Sequence, residues 1–437
     1  MPERIRKAET GRVLRAMMCA FAVAFVIGAL VAPDRADMLN GLVRLCAAPA
    51  QLTKDWFLPG MGGVSASMLN AAIVSAMLCA LTFLPGAEVN GATVLGFFLT
   101  VGFCSWGMSP VNVLPMLLGT FVYARIKKLP LGQCVNAAMF ATGLSPLVTQ
   151  ALFYYPVAGS APRFSLLGLV LALAIGVVVG CAMPALCIHS KALHKGFDLY
   201  NAGPAAGFLC FLIYVLLYKV IGVDAPPIEA VLGEGQRAFA NLFCAAVFIL
   251  CVACGVLLNG GFGGYGRLLR DPGLGSDFTK KYGAGLCLVN LGVYGLFILL
   301  YYNLIGATFT GVTMGVVFCM VCCGCNGATP LNVLPVMIGY GIMGLLHRAG
   351  VTAFAINAQA IVVGLCYASG LAPISGVYGP VAGIVAAMLH YCLVTSVPPI
   401  HGGYNLYNGG FTAGIVCFLL VPVLEHFFGP GRGREER

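Results

Sequence analysis

Two short motifs combine residues that can bind a small polar solute. They are Ser109-Pro110 with Asn112, and Thr329-Pro330 with Asn332. A Ser or Thr before Pro favours a helix start, because the hydroxyl accepts from an unpartnered amide and Pro at the first helical position needs no donor. A helix start carries partial positive charge, and Asn can both donate and accept hydrogen bonds. This chemistry favours a carbonyl, a carboxylate or another solute rich in acceptors.

Each motif follows a glycine, Gly107 in the first case and Gly327 in the second. Glycine permits close approach to the backbone, whose carbonyl groups can accept from a solute or hold a sodium ion. We therefore assign the solute path to these two glycines and the six residues of the motifs. The competing interpretation is structural, with Pro and Gly shaping helix packing and the Asn side chains bonding across helices.

A second pair of motifs has the form Leu-Tyr-Asn-x-Gly. The motifs contain Tyr200 with Asn201 and Tyr407 with Asn408. One interpretation makes each Asn a helix N-cap and places each Tyr at the membrane interface. The functional interpretation makes these four residues a gate or the wall of a vestibule. His194 and His401 precede them in loops on opposite faces of the membrane, so we expect a structural hydrogen bond at each rather than one catalytic pair.

Composition indicates which kind of protein must position these residues. The chain has 437 residues, of which 60% are hydrophobic and 9% charged, and its mean hydropathy is +0.94. A soluble domain has about 25% charged residues, so the sequence predicts an all-α polytopic membrane protein and excludes a soluble fold. The net charge of +9 then reflects loops kept in the cytoplasm, and no nucleic-acid partner is expected.

Several kinds of chemistry are disfavoured. The 19 Cys residues lie mostly inside apolar runs without His or carboxylate neighbours, so the sequence predicts no metal and no cofactor. The 15 carboxylates lie almost entirely in loops or tails, with Asp198 and Glu425 as borderline cases, which argues against a proton-driven pump. No phosphate-binding loop of an ATPase is present.

The chain repeats itself. At an offset of 220 residues, Asn-Val-Leu-Pro at 112–115 meets the same four residues at 332–335, and at an offset of 207 the stretch 194–207 meets 401–414. The predicted organisation is a cytoplasmic tail 1–12, a first copy 13–222, a linker 223–234, a second copy 235–428 and a cytoplasmic tail 429–437.

The apolar segments predict how each copy crosses the membrane. Each copy has about five full spans plus a hairpin, 91–127 or 311–347, that is broken or re-entrant. The number of crossings is odd, so the second copy has the inverted topology and both motif helix starts converge on one site near the midplane. With both termini in the cytoplasm, 17 of the 24 Lys and Arg residues lie inside, as the positive-inside rule requires.

The duplicated Asn-Val-Leu-Pro blocks and paired Leu-Tyr-Asn-x-Gly motifs resemble a family of uncharacterised bacterial integral membrane proteins built on a twice-occurring domain of unknown function. That resemblance covers nearly the whole chain and implies no substrate. A weaker likeness is to urea transporters, whose halves are also inverted. It rests on fragments such as Tyr407-Asn408-Gly409 and Leu114-Pro115, so no urea-binding residue is carried over.

The leading hypothesis is a plasma-membrane permease or channel-like facilitator for a small polar or anionic solute, with its path between the two repeats. Membrane lipids and the solute are the expected partners. Gly176 and Gly180 are spaced for close helix packing, either in a homo-oligomer or within one chain. The alternatives are a membrane enzyme on a lipid-linked substrate, with His194 or His401 as base, and a scaffold or sensor that transports nothing.

Overall fold

The computed structural model describes residues 3–156 and 161–430. Helices and loops make up these residues, and the one extended pairing among them is a bridge between Lys54 and Val231. The predicted all-helical class is confirmed. The first helix begins at Glu3, so it includes residues 3–12 of the predicted N-terminal tail. Residues 1–2 and 431–437 of the two predicted tails lie outside the described residues.

The helices follow the order of the repeated segments. The first half of the chain contains α1 (Glu3–Val31), α2 (Met38–Ala47), α3 (Val64–Leu81), α4 (Gly91–Gly102), α5 (Pro110–Ile126), α6 (Val135–Ala141), α7 (Ser145–Thr149), α8 (Leu166–His194) and α9 (Ala202–Tyr214). The second half contains α10 (Arg237–Asn259), α11 (Tyr265–Leu269), α12 (Phe278–Lys281), α13 (Gly283–Leu304), α14 (Gly311–Val321), α15 (Pro330–Arg348), α16 (Gln359–Ala368), α17 (Ala372–Tyr378), α18 (Pro380–Val394) and α19 (Asn408–Phe428). Turns of 3-10 helix extend α4 through Phe103–Ser105 and α14 through Cys322–Cys325.

Nine helical stretches in the described residues are long and apolar enough to cross a membrane. They are Glu9–Val31, Val64–Leu81, Leu166–His194, Ala202–Val220, Arg237–Asn259, Gly283–Leu304, Pro330–Arg348, Gln359–Tyr378 and Asn408–Phe428. Large apolar side chains cover the outside of the molecule, for example Leu242 and Leu257 of α10, which are 75% and 81% exposed. Length, hydropathy and this apolar exterior together indicate a multi-pass membrane protein.

The short helices α4 and α14 lie side by side at the centre of the molecule and run antiparallel. Contacts along the pair join Ser105 with Gly311, Gly102 with Gly315, Leu99 with Cys319, and Gly91 with Asn326. Leu99 and Cys319 are equivalent positions at the offset of 220 residues, so this contact lies midway along the pair. The helix break that follows α4 is therefore at one end of the pair, and the break that follows α14 is at the other.

Five phenylalanine rings pack α1 and α10 against this central pair. They belong to Phe21, Phe25, Phe98, Phe243 and Phe318. Phe98 and Phe318 are again equivalent positions, and their rings lie nearly parallel at 4° with centroids 6.5 Å apart. Phe25 packs edge-on to Phe318 at 5.5 Å and stacks on Phe243 at 5.7 Å. Such aromatic contacts add to area burial and fix the relative orientation of the four helices.

Other helix pairs recur in both copies. α1 packs on α3 as α10 packs on α13, and α5 packs on α8 as α15 packs on α18. Gly176 and Gly180 of α8 lie against α5, where a Cβ on Gly176 would be 2.5 Å from the Cβ of Pro115. These two glycines thus serve close packing within one chain, which is one of the two roles that the sequence left open.

Close packing of the central helices makes Gly315 sensitive to added volume. A Cβ on Gly315 would overlap the carbonyl oxygen of Gly102 in α4. We expect Gly315→Ala to lower the free energy of unfolding by about 1–3 kcal/mol, as overpacking does in well-packed cores. Thermal unfolding in detergent measures the change. Gly341→Ala is the matched control, because its added Cβ meets a single atom at 4.0 Å, and equal stability of the two variants would contradict the packing.

Candidate functional site

The first helix break lies between α4 and α5, where the Asn112 side chain bonds groups on both sides of the break and Ser109 Oγ has no hydrogen-bond partner in the described residues. α5 begins at Pro110, as the sequence predicts. Asn112 Oδ1 accepts from the amide of Ser109 at 2.8 Å, and its Nδ2 donates to the carbonyl of Gly107 at 3.0 Å and to Thr149 Oγ1 at 2.8 Å. The Asn112 side chain is fully buried, so its amide stabilises the break from within.

The second break, between α14 and α15, has the same construction. α15 begins at Pro330, again as predicted. Asn332 Oδ1 accepts from the amide of Thr329 at 2.8 Å, and Asn332 Nδ2 donates to the carbonyl of Gly327 at 2.7 Å. The hydroxyl of Thr329 accepts from the amide of Asn332 at 3.2 Å, which completes the helix cap.

Two further asparagines, which the sequence analysis did not assign to the site, hold the same breaks from neighbouring helices. Asn70 of α3 donates to the carbonyl groups of Cys104 and Met108 at 2.7 and 2.8 Å. Asn290 of α13 donates to the equivalent carbonyl groups, those of Gly324 and Ala328, at 2.8 and 2.9 Å. Both are fully buried. Their recurrence at the offset of 220 residues, inside apolar segments, is the sequence signal that could have assigned them.

The two breaks do not form one shared site, which corrects the expected convergence of Ser109-Pro110 and Thr329-Pro330. Ser105 contacts the start of α14, and Asn326 contacts the start of α4. The helical stretch Gly91–Ser105 separates these two contacts, which corresponds to about 20 Å. The physical reason is the antiparallel packing of α4 and α14, which places equivalent ends of the two helices at opposite ends of the pair.

The helix starts that do meet are those of α9 and α19. A Cβ on Gly203, the second residue of α9, would overlap the backbone of Gly410 in the first turn of α19. Gly203 and Gly410 are equivalent positions at the offset of 207 residues. The meeting point is therefore formed by the Leu-Tyr-Asn-x-Gly motifs and not by the Ser/Thr-Pro motifs.

Tyr200 inserts into the second copy of the repeat. It is 1% exposed, and its hydroxyl lies 2.9 Å from the carbonyl oxygen of Cys366 and 3.2 Å from Ser369 Oγ, at the turn between α16 and α17. Its ring packs on Gly370, where a Cβ would lie 2.5 Å from the ring. The interface position expected for this Tyr is therefore wrong, because the side chain is enclosed by protein.

Tyr407 inserts into the first copy in the same way. It is 1% exposed, so its expected interface position is also wrong, and its ring packs on Gly143 at the turn between α6 and α7. The amide of Leu199 donates to the carbonyl of Gly370 at 3.0 Å, and the amide of Leu406 donates to the carbonyl of Gly143 at 3.1 Å. These backbone hydrogen bonds secure both loops. Each copy thus holds the tyrosine loop of the other.

Asn201 and Asn408 anchor the two loops through histidine. His194 Nε2 lies 3.0 Å from Asn201 Oδ1, and His401 Nε2 lies 2.8 Å from Asn408 Oδ1. These are the structural hydrogen bonds expected for the two histidines. The N-cap role expected for the asparagines is wrong: the Asn201 side chain makes no cap bond, and Asn408 is the first residue of its helix. The loop geometry uses the Asn side chain to reach His instead.

Leucine side chains connect the loops to the breaks. Leu406 packs on Gly107, where a Cβ would lie 2.9 Å from both of its δ carbons, and Leu199 packs on Gly327 with a corresponding distance of 3.0 Å. Gly327 also has a φ of +133°, a conformation that other residues rarely adopt. The two glycines therefore allow close approach, as the sequence predicts, but what approaches each of them is a leucine of the other copy.

Two polar cavities lie at opposite ends of the α4 and α14 pair. The Asp198 cavity, of about 210 Å³, is beside the start of α4, and its polar lining residues are Lys191, His194, Asp198, Asn201, Ser276, Asp277 and Asn326. The Lys54 cavity, also of about 210 Å³, is near the start of α14, and its polar lining residues are Gln51, Lys54, Gln150, Tyr154 and Glu229. The tyrosine loops lie between the two cavities.

A family model described as "Protein of unknown function (DUF1576)" matches residues 34–219 and 252–426. The chain belongs to this family. The two matched regions agree with the resemblance to an uncharacterised family with a duplicated domain. Comparison with curated proteins and with solved structures finds no match. The likeness to urea transporters therefore stays a resemblance of fragments.

Buried carboxylates support the loops of this DUF1576 chain at both ends of the central pair. Asp55, 1% exposed, accepts from the amides of Gly311, Phe57 and Gly233 at 2.9 to 3.1 Å and so caps α14. Burial raises the pKa of Asp55, and these amides offset part of that rise. Burial also acts to raise the pKa of Asp271, but hydrogen bonds from Lys281 at 2.6 Å and from other donors outweigh this effect. The pKa of Asp271 therefore lies below its ordinary value.

The amide group of Asn290 is expected to be essential for the second break. Asn290→Asp keeps the size of the side chain but removes both N–H donors, so the carbonyl groups of Gly324 and Ala328 lose their partner. We expect the free energy of unfolding to fall by about 2–3 kcal/mol in detergent, because two buried acceptors are left unpaired. The control is Asn357→Asp on the exposed surface. An equal effect in both variants would contradict the role of Asn290.

Proposed function

We propose that the protein is a plasma-membrane permease or channel-like facilitator for a small polar or anionic solute. The observation that carries this proposal is the exchange of the two tyrosine loops, which meet between polar cavities at opposite ends of the central helix pair. A solute that passes from one cavity to the other must pass both loops. A scaffold has no need of paired cavities, and His194 and His401, the bases considered for an enzyme, each bond an Asn side chain of a tyrosine loop.

The proposal includes an inverted arrangement of the two copies. Its support comes from three pairs of equivalent residues that contact each other directly: Leu99 with Cys319, Phe98 with Phe318, and Gly203 with Gly410. Self-contacts of this kind are expected on a two-fold axis between repeats. With such an axis in the membrane plane, the Asp198 cavity opens to the cytoplasm, where both termini lie, and the Lys54 cavity opens to the outside.

The proposed path has two gates and a central site. On the side of the Asp198 cavity, the contact of Leu199 with Gly327 forms the inner gate. On the side of the Lys54 cavity, the contact of Leu406 with Gly107 forms the outer gate. Tyr200 lies with Tyr407 between the gates. The predicted path residues thus belong to two gates rather than to one binding site. The outer gate is supported by Ser109, Pro110 and Asn112. The inner gate is supported by Thr329, Pro330 and Asn332. Alternate opening of two such gates gives alternating access.

The lining chemistry supports a polar or anionic solute. In the Lys54 cavity, Lys54 is 9% exposed and donates to the backbone carbonyl of Glu229 at 2.9 Å. Burial lowers the pKa of Lys54, and the Glu229 carboxylate counteracts this. Between the gates, the starts of α9 and α19 supply partial positive charge. Amide and hydroxyl groups on Gln51, Gln150 and Tyr154 can orient a solute rich in acceptors.

Removal of both gates is expected to increase passive flux. The double variant Leu199→Ala and Leu406→Ala retains the loop backbone but clears the space over Gly327 and Gly107. Proteoliposome swelling and uptake of neutral amides, small carboxylates and inorganic anions measures the result, and we expect about tenfold faster entry of the transported class, a barrier change of about 1.4 kcal/mol.

Leu257→Ala, at an 81% exposed site on α10, is the matched control and should transport like the unaltered protein. Flux that stays the same in the folded double variant would contradict the gate assignment. No flux of any class, in both the unaltered protein and the double variant, would contradict the permease proposal itself.

A further inference from the structure

Asp198 is a buried carboxylate in the loop that carries Tyr200. It is 2% exposed, and its Oδ1 accepts from the amide of Tyr200 at 3.0 Å. Its Oδ2 is buried without a hydrogen-bond partner in the described residues. Burial raises the pKa of Asp198 to about 7, although the Tyr200 amide lowers it in part. An ionised carboxylate at this position would leave a buried, charged oxygen unpaired, which is costly.

The second copy shows what a neutral side chain does at the equivalent position, which is Asn405. Asn405 Oδ1 accepts from the amide of Tyr407 at 3.0 Å, the same distance as for Asp198. Its Nδ2 is buried and has no hydrogen-bond partner among residues 3–156 and 161–430, in the place that Asp198 Oδ2 occupies in the first copy. Asp198 with a proton on Oδ2 has the same arrangement as Asn405, one acceptor toward the tyrosine amide and one N–H or O–H group opposite. The two loops are therefore alike when Asp198 is neutral.

Asp198 also lines a cavity from which a proton can arrive. The ionisable groups around it are Lys191 and His194 on α8, Asp277 in the loop before α12, Cys417 on α19, and Tyr200 in its own loop. None of the ion pairs in residues 3–156 and 161–430 includes Asp198, since Lys195 pairs with Glu425 and Lys281 with Asp271. A proton on Oδ2 is thus the simplest way to neutralise this carboxylate in the closed loop.

We propose that Asp198 is a proton-binding site whose protonation holds the Tyr200 loop closed and couples proton movement to solute movement. The proposal rests on the permease function proposed above. Protonated Asp198 fits the buried position, whereas ionised Asp198 favours a hydrated position toward the cavity. Movement of Asp198 takes with it the amide of Tyr200 and the contact of Leu199 with Gly327, which is the inner gate. Proton binding and gate position are then linked, each shifting the other.

Infrared difference spectroscopy tests the proton site without any solute. Spectra of the purified protein are recorded about two pH units below and above 7, for the unaltered chain and for Asp198→Asn. We expect the carbonyl band of one buried carboxylic acid at the lower pH, lost at the higher pH and absent from Asp198→Asn. Asn occupies this position in the second copy, so the variant should fold. A band set that is identical in both proteins would overturn the assignment.

Transport in proteoliposomes with a trapped pH dye tests the coupling. For the class of solute that the unaltered protein takes up, we expect accumulation of up to about tenfold per pH unit across the membrane and proton entry with the solute. Asp198→Asn has the arrangement of protonated Asp198, so it should hold the Tyr200 loop closed and lose both solute accumulation and proton movement. Asp224→Asn, the same change at an exposed position, is the matched control and should keep proton movement, because Asp198 is intact.

The outcomes separate the two proposals. Solute uptake without proton movement in the unaltered protein, or proton-driven uptake retained in Asp198→Asn, overturns the coupling and leaves the permease function in place. No uptake of any solute overturns the permease function and the coupling with it. In that case the infrared result still decides whether Asp198 binds a proton.

Discussion

The structure depends on one constraint, which is that backbone polar groups inside a membrane protein must find partners within the protein. Each break after α4 or α14 exposes carbonyl and amide groups that a continuous helix would satisfy. Four asparagine side chains supply the missing bonds, Asn70 with Asn112 at one break and Asn290 with Asn332 at the other. A side-chain amide suits this task because it donates and accepts at once. The breaks are consequently firm points of the fold.

In the proposed permease, the movement of the gates is then assigned to the tyrosine loops and not to the breaks. The tyrosine loops are held by contacts such as the backbone bond from Leu199 to Gly370 and the hydroxyl contact of Tyr200 with Cys366, besides burial of the tyrosine ring. Individual hydrogen bonds of this kind contribute about 1 kcal/mol. Because each copy holds the loop of the other, movement of one loop changes the surface that the other copy presents. Such mutual dependence is what the proposed pair of alternating gates requires.

Duplication followed by divergence explains why one tyrosine loop carries an ionisable residue and the other does not. Gly203 and Gly410 touch each other and have stayed alike, and a Cβ on Gly203 would overlap the backbone of Gly410. Asp198 and Asn405 have diverged although their bonds to the following tyrosines are the same. One copy therefore carries an ionisable group where the other carries a neutral one. In the proposed mechanism, this difference gives one loop a proton-binding site, which a symmetric pair of neutral loops does not provide.

The sequence by itself determined the helical membrane class, the duplication and the helix starts at Pro110 and Pro330, since hydropathy and helix capping act within a few residues. It also pointed to the histidine bonds of the tyrosine loops. Only the tertiary structure decided which helix starts meet, because that follows from the antiparallel packing of α4 on α14, whose contacting residues are some 200 positions apart in the chain. The same packing buried Tyr200, for which the sequence offered an interface position or a gate, and Asp198, which the sequence left as a borderline case. Burial is a property of the assembled helices, so no local pattern contained it.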